Sequence, residues 1–231
     1  MADVNNIFSV TEPQFDAFCL ETFAFQYQGN AVYREWCDRL GIQPQTVRYA
    51  SAIPALPVGF FKFGMQKTTE FDPALIFESS GTTGTQSSFH AIKEVHLYEE
   101  SFSRAFRLFY GDPADWCILA LLPSYLERGN SSLVYMVNGL QQQSKHLLQG
   151  FFLHNTAELA DRLKQLEAAK QKTILIGVTY ALLDFAEQYP MALQHTVVME
   201  TGGMKGRREE LTREQVHEKL QQQLRNINQM F

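Results

Sequence analysis

Thr173-Ile-Leu-Ile-Gly-Val178 is an uncharged six-residue run dominated by β-branched side chains. It is too short for a buried helix and shows no polar alternation, so it predicts a strand covered on both faces, as in a parallel sheet. Downstream, Thr179 predicts the cap of a helix ending before Pro190, and Thr196–Met199 predicts the next strand. Thr212-x-x-Gln215 then reads as a capping box for a final helix with Val216, Leu220, Leu224 and Ile227 on one side. Upstream, Asn155-x-x-Glu158 reads as a second capping box, opening a helix that carries Leu159, Leu163 and Leu166. Before it come a strand at Gly150–His154, a helix at Ser131–Gln142 with Leu133, Met136, Val137 and Leu140 inward, and a strand at Trp116–Leu122. Strands alternating with helices of this length imply an α/β fold, a mostly parallel sheet flanked by helices. The Gln141–Gln143 and Gln221–Gln223 triplets read as solvated helix surface.

The pattern changes toward the N-terminus. Tyr98, Phe102, Ala105, Phe106 and Phe109 recur on one helical face. Ala74–Ser79 is a short apolar run, and Ser87–Lys93 suits a return strand. A helical lead-in precedes them. Phe15, Phe18, Cys19 and Phe23 follow Thr11 and Pro13, and Tyr33, Trp36, Cys37 and Leu40 end at Gly41, which suits a C-terminal cap. Ile53-Pro-Ala-Leu-Pro57 then interrupts regular structure. The expected division is 1–69, a helical lead-in with a proline-containing connection, and 70–231, an α/β nucleotide-binding core.

Across its 231 residues the chain is 45% hydrophobic and only 19% charged, a globular composition that excludes a disordered segment. A net charge of −5 argues against a nucleic-acid partner held by general phosphate neutralisation. The N-terminus lacks a basic region followed by an apolar stretch, and no apolar run approaches the ~20 residues of a membrane span. Three cysteines, Cys19, Cys37 and Cys117, form no C-x-x-C pair and read as reduced, buried thiols of a cytoplasmic protein. The six histidines show no zinc-ligand spacing, so no metal site is expected from them.

Glu78-Ser-Ser-Gly-Thr-Thr-Gly-Thr85 carries the chemistry. It follows a predicted strand and mixes glycines, which let the backbone approach a ligand, with hydroxyl donors suited to phosphate. An ordinary Ser/Thr/Gly surface turn has the same composition. The loop lacks the lysine of a Walker A site, and the chain contains no G-x-S-x-G nucleophile elbow.

The loop resembles the phosphate loop of the adenylate-forming enzymes. Ile53–Lys62, Ser79–Gly84 with Ser88 and His90, Pro123–Met136 and Glu200-Thr-Gly-Gly-Met-Lys-Gly-Arg207 further resemble, in order, the acyl-protein synthetase family of bacterial-luminescence fatty-acid reductase type. The similarity runs over most of residues 50–220 and implies part of the large N-terminal domain of the adenylate-forming superfamily. It implies ATP-dependent activation of a carboxylic acid, a fatty acid in the luminescence type, as an acyl-adenylate with Mg²⁺ assistance. Transfer to a protein thiol and an acyl-reductase protein partner follow from the same resemblance.

On that resemblance Ser79, Ser80, Gly81, Thr82, Thr83, Gly84 and Thr85 hold the ATP phosphates. His90 orients the loop or satisfies a strand end, and Tyr125 gates the acyl group or packs in the core. Gly202 and Gly203, with Lys205 beside them, line the adenine or acyl pocket or form a plain strand-to-helix turn. Lys205, Arg207 and Arg208 make a basic cluster that suits phosphate or a solvated helical turn.

The chain departs in two ways, the first from classical adenylating loops, whose Gly-x-Pro-Lys ending the acyl-protein synthetase branch also lacks, and the second from the family itself. No lysine follows Gly84, and no Tyr-Gly-x-Thr-Glu string supplies the metal-binding glutamate. None of the three cysteines matches the acyl-accepting position, so the expectation is a fragment or split product. Pairing of its unfinished sheet edge would give a homo-oligomer. A CoA ligase of the phenylacetate type and a non-catalytic nucleotide-binding module serving a reductase are the alternatives.

Overall fold

A computed structural model describes residues 4–79, 87–123, 129–202 and 211–225. The chain divides into two compact units, one of the described residues up to Leu97 and one from Tyr98 onward.

The first unit opens with 3-10 turns and two helices, α1 (Phe15–Gly29) and α2 (Ala31–Arg39). Asn30 serves both. Its backbone N–H donates to Gln26 at the end of α1, while its side-chain oxygen accepts from the Tyr33 N–H at 2.9 Å and caps α2. A small core of Phe23, Tyr33, Cys37 and Val47 sits between them. Phe15 departs from the expected apolar face and is exposed, because the helix begins only there and its first turn lies outside the core. Leu40 is exposed too, at the cap of α2. Gly41 adopts φ +69, and its N–H and that of Ile42 bond back to Asp38 and Cys37, closing α2 as a Schellman turn. The proline-containing connection lies against α2, with the Tyr33 hydroxyl donating to the Pro54 carbonyl and the Trp36 indole to that of Ala55. It leads to an antiparallel hairpin of β1 (Leu75–Glu78) and β2 (Phe89–Ile92).

In the second unit four parallel strands, β3 (Cys117–Leu121), β4 (Gly150–Phe151), β5 (Thr173–Val178) and β6 (Thr196–Thr201), lie in the order β4-β3-β5-β6. Every residue of β3 and β5 is buried, as the unbroken apolar runs require. The predicted strand at Gly150–His154 shrinks to two residues, because after Phe152 the chain turns to present Asn155 as the cap of α5 (Thr156–Ala168). The Asn155 side chain accepts the Glu158 N–H and donates to the Glu158 carboxylate, a local variant of the expected box.

The remaining helices are α3 (Val95–Tyr110), α4 (Ser132–Ser144), α6 (Thr179–Gln188) and α7 (Arg213–Gln223). Phe102 and Phe106 of α3 are buried, but Ala105 and Phe109 are exposed and Tyr110 packs inward in their place. Thr212 and Gln215 form the capping box of α7. Ile227 lies outside the described residues. The first glutamine triplet is corrected in part. Gln141 is buried, and its amide donates to the carbonyls of Ile118 at 3.0 Å and Gly150 at 3.1 Å. Gln143 donates to Ser103, and Ser144 to the Trp116 carbonyl at 2.5 Å. With β4 only two residues long, α4 supplies donors to carbonyls along this side of β3.

Glu167 holds the entry to β6. From near the end of α5 its carboxylate accepts the N–H groups of Gln194 at 2.9 Å and His195 at 3.1 Å and the Thr196 hydroxyl at 2.6 Å. Bonds to a charged acceptor contribute about 1.5–3 kcal/mol each, less where water competes. Glu167→Ala is therefore expected to lower stability by about 2 kcal/mol, and an unchanged denaturation midpoint would refute that role. Among the described residues no helix is long and apolar enough to cross a membrane.

Candidate functional site

The sheet order decides where the second unit can hold a ligand. From β3 the chain crosses to β4 on one side, and from β5 to β6 on the other. In open parallel sheets a crevice forms at the carboxyl ends of neighbouring strands whose crossovers part in this way. Here that switch point lies between the ends of β3 and β5. Pro123, which opens one of the sequence blocks, lies two residues past the end of β3, and Thr201–Gly202 of another block closes β6 at the same edge.

Register places Leu121 beside Gly177, and Gly177 beside Glu200. Gly177 leaves room for α6, since a Cβ there would stand 2.9 Å from Leu182 Cγ and 3.0 Å from Leu121 Cβ. The Thr179 hydroxyl, buried at the start of α6, donates to the Glu200 carboxylate at the end of β6. This corrects the expected cap: Val178 is the capping residue of α6, and Thr179 is already helical. Gly202 then takes φ +90, a left-handed conformation that disfavours any side chain, while the space around its missing Cβ is ordinary (Val178 Cγ1 at 3.7 Å).

Toward the start of α4, Tyr98 donates to the Ser132 carbonyl and Tyr135 to the Glu99 carboxylate, with their rings 6.0 Å apart. Burial pushes the Tyr98 hydroxyl above its ordinary pKa. Tyr135 belongs to the block Pro123–Met136, whose Tyr125 lies outside the described residues.

The first unit presents the root of the Ser/Thr/Gly loop. The Ser79 N–H donates to the Ser88 carbonyl, and the Ser88 N–H and hydroxyl both donate to Ser79 Oγ, all at 2.9 Å. The loop therefore leaves and re-enters the hairpin through one hydrogen-bonded serine pair. His90 sits in β2 opposite Phe77 and is exposed, so it does not fill a buried strand end. A cleft of about 370 Å³ in this unit is lined by Val10, Thr11, Glu12, Phe15 and Asp16. Its two carboxylates suit no phosphate.

Of the residues proposed from sequence, Ser79, His90 and Gly202 are described. Ser80, Gly81, Thr82, Thr83, Gly84, Thr85, Tyr125, Gly203 and Lys205 lie outside the described residues. Sequence reading gave no ligand-site role to Thr179 or Glu200, and Ser88 was noted only as a neighbour of the loop. Thr179 and Glu200 are 21 positions apart, and only the β5–β6 register could have joined them. Among the described residues no group of three or more His, Cys, Asp or Glu could hold a metal ion.

No curated protein and no solved structure matches the chain. Residues 7–131 match the family described as acyl-protein synthetase, LuxE. That span covers the hairpin, its serine pair and the first strand of the parallel sheet. Acyl-protein synthetase activity in general, a ligase chemistry, is what the family's description carries. The chain belongs to the acyl-protein synthetase, LuxE, family.

Proposed function

We propose that this chain activates a fatty or similar carboxylic acid with ATP. The acid's carboxylate oxygen attacks the α-phosphorus, the bond to the β-phosphate bridge breaks, and pyrophosphate leaves. A protein thiolate then attacks the acyl carbonyl and releases AMP, and a reductase partner collects the acyl group. The observation that carries this reading is the Ser79–Ser88 pair. It gathers both ends of a loop of glycines and hydroxyls into one fixed root within the family-matched span. Hydroxyl and backbone N–H donors held in this way suit the phosphates of a nucleotide. Ser79 is the described residue that would contribute. The described residues offer no carboxylate cluster for Mg²⁺, so no ligand set is assigned and no step is routed through it.

The test is ATP–pyrophosphate exchange with a panel of carboxylic acids, with hydroxamate trapping of the activated acyl group. Exchange is expected with at least one acid. Adding either a protein thiol or CoA then identifies the acceptor. Thr82→Ala and Thr83→Ala are expected to weaken nucleotide binding by about 0.5–3 kcal/mol per lost hydrogen bond. Absence of exchange with every acid would remove the proposal.

A further inference from the structure

We propose that Thr179 and Glu200 are positioning residues of a ligand site at the carboxyl edge of the second unit's sheet, a proposal that rests on the function just given. The two lie at the carboxyl edge of the sheet, where parallel α/β folds receive ligands. Their hydrogen bond ties the end of β6 to the first turn of α6.

Packing alone does not account for the pair. Along β6, Thr196 and Val198 precede Glu200 on the same face and are buried, so an apolar side chain at position 200 would extend that contact. Exchanging buried, hydrogen-bonded polar groups for apolar ones is often neutral or stabilising. This sequence instead places a half-buried carboxylate there and commits a hydroxyl, only 4% exposed, to it. At a helix start that hydroxyl could have served its own backbone. It reaches across to the neighbouring strand.

The consequence falls two residues later. Glu200 fixes the line on which the backbone reaches Gly202, whose left-handed φ turns the chain at the carboxyl edge of the sheet. The carboxylate thus acts through the backbone of the turn. Releasing it leaves the fold in place and lets the turn drift. Near-attack geometry tolerates little drift, and a displacement of about 1 Å can reduce rate on the order of a hundredfold.

The test compares Thr179→Val, Thr179→Ser and Glu200→Ala with the unaltered chain in ATP–pyrophosphate exchange, recording kcat, KM for ATP and Tm. Thr179→Val and Glu200→Ala are expected to lower kcat at least tenfold with Tm within a few degrees. Thr179→Ser, which keeps the hydroxyl, is expected to retain kcat within twofold. The positioning role is overturned if the first two variants retain kcat, if Thr179→Ser falls as far as Thr179→Val, or if loss of activity merely follows loss of Tm. Exchange by the unaltered chain decides the underlying function separately: without it both proposals fall, whereas exchange unaffected by the variants removes this one alone.

Discussion

Replacing Gly29 by alanine is expected to destabilise the first unit by about 1–3 kcal/mol, the usual cost of forcing extra atoms into a packed site. Gly29 is the last residue of α1, and a Cβ built there would stand 2.1 Å from the Thr68 carbonyl oxygen and 3.0 Å from Thr68 Cγ2. The obstacle is backbone, so no change of rotamer relieves it. Either α1 gives up its last turn, which disturbs Asn30 and the cap of α2, or the segment around Thr68 moves away. That segment leads directly into β1 and the serine pair, so the second route also carries the loop root with it. Gln28→Ala, exposed and one position earlier, is the control and is expected to change little. Thr68→Gly trims Cγ2 but leaves the carbonyl, and is expected not to rescue Gly29→Ala. Equal denaturation midpoints for Gly29→Ala and the control would refute the close contact.

The parallel sheet was legible because its strands are buried on both faces and therefore appear as unbroken apolar runs, as at Cys117–Leu121 and Thr173–Val178. The caps at Asn155 and Thr212 were legible for a similar reason. Their hydrogen bonds close within three residues, so spacing alone specifies them. What failed to read was long-range. Gln141 looks like surface beside two further glutamines, and only the truncation of β4 exposes β3 and Gly150 carbonyls for it to serve. Thr179 looks like a cap because it follows a strand, but Val178 already occupies that place and the hydroxyl finds Glu200. Phe109 and Phe15 fit an apolar helical face in sequence, yet Tyr110 takes the inward place beside Phe109, and Phe15 sits in a first turn outside the core. At the site, the composition of the Ser/Thr/Gly loop suggested phosphate chemistry, whereas its anchoring through Ser88 depended on the hairpin register.

Alkaline solution is expected to destabilise the second unit through Cys117. The residue lies in β3 with no exposed surface, and burial pushes its thiol from 9.0 up to about 12, opposed only in part by the positive charge of Arg162. Below pH 9 both folded and unfolded chains keep the proton, and the contribution to stability is full. Between pH 9 and 12 the unfolded thiol ionises while the folded one does not, so stability falls by up to about 1.4 kcal/mol per pH unit. Burial raises the thiol of Cys37 and the hydroxyl of Tyr33 as well, which gives the first unit a loss of the same sign. Acyl transfer needs an accessible thiolate, whereas Cys117 has no exposed surface and its burial favours the protonated thiol. Cys117 is therefore a core residue. Denaturation midpoints from pH 7 to 11, followed by Trp116 fluorescence in a Trp36→Phe background, measure the effect. Cys117→Ala costs stability at pH 7 by leaving a small cavity, but its disadvantage is expected to shrink steadily above pH 9. Parallel pH curves for the two proteins would show that the thiol does not titrate differently on folding.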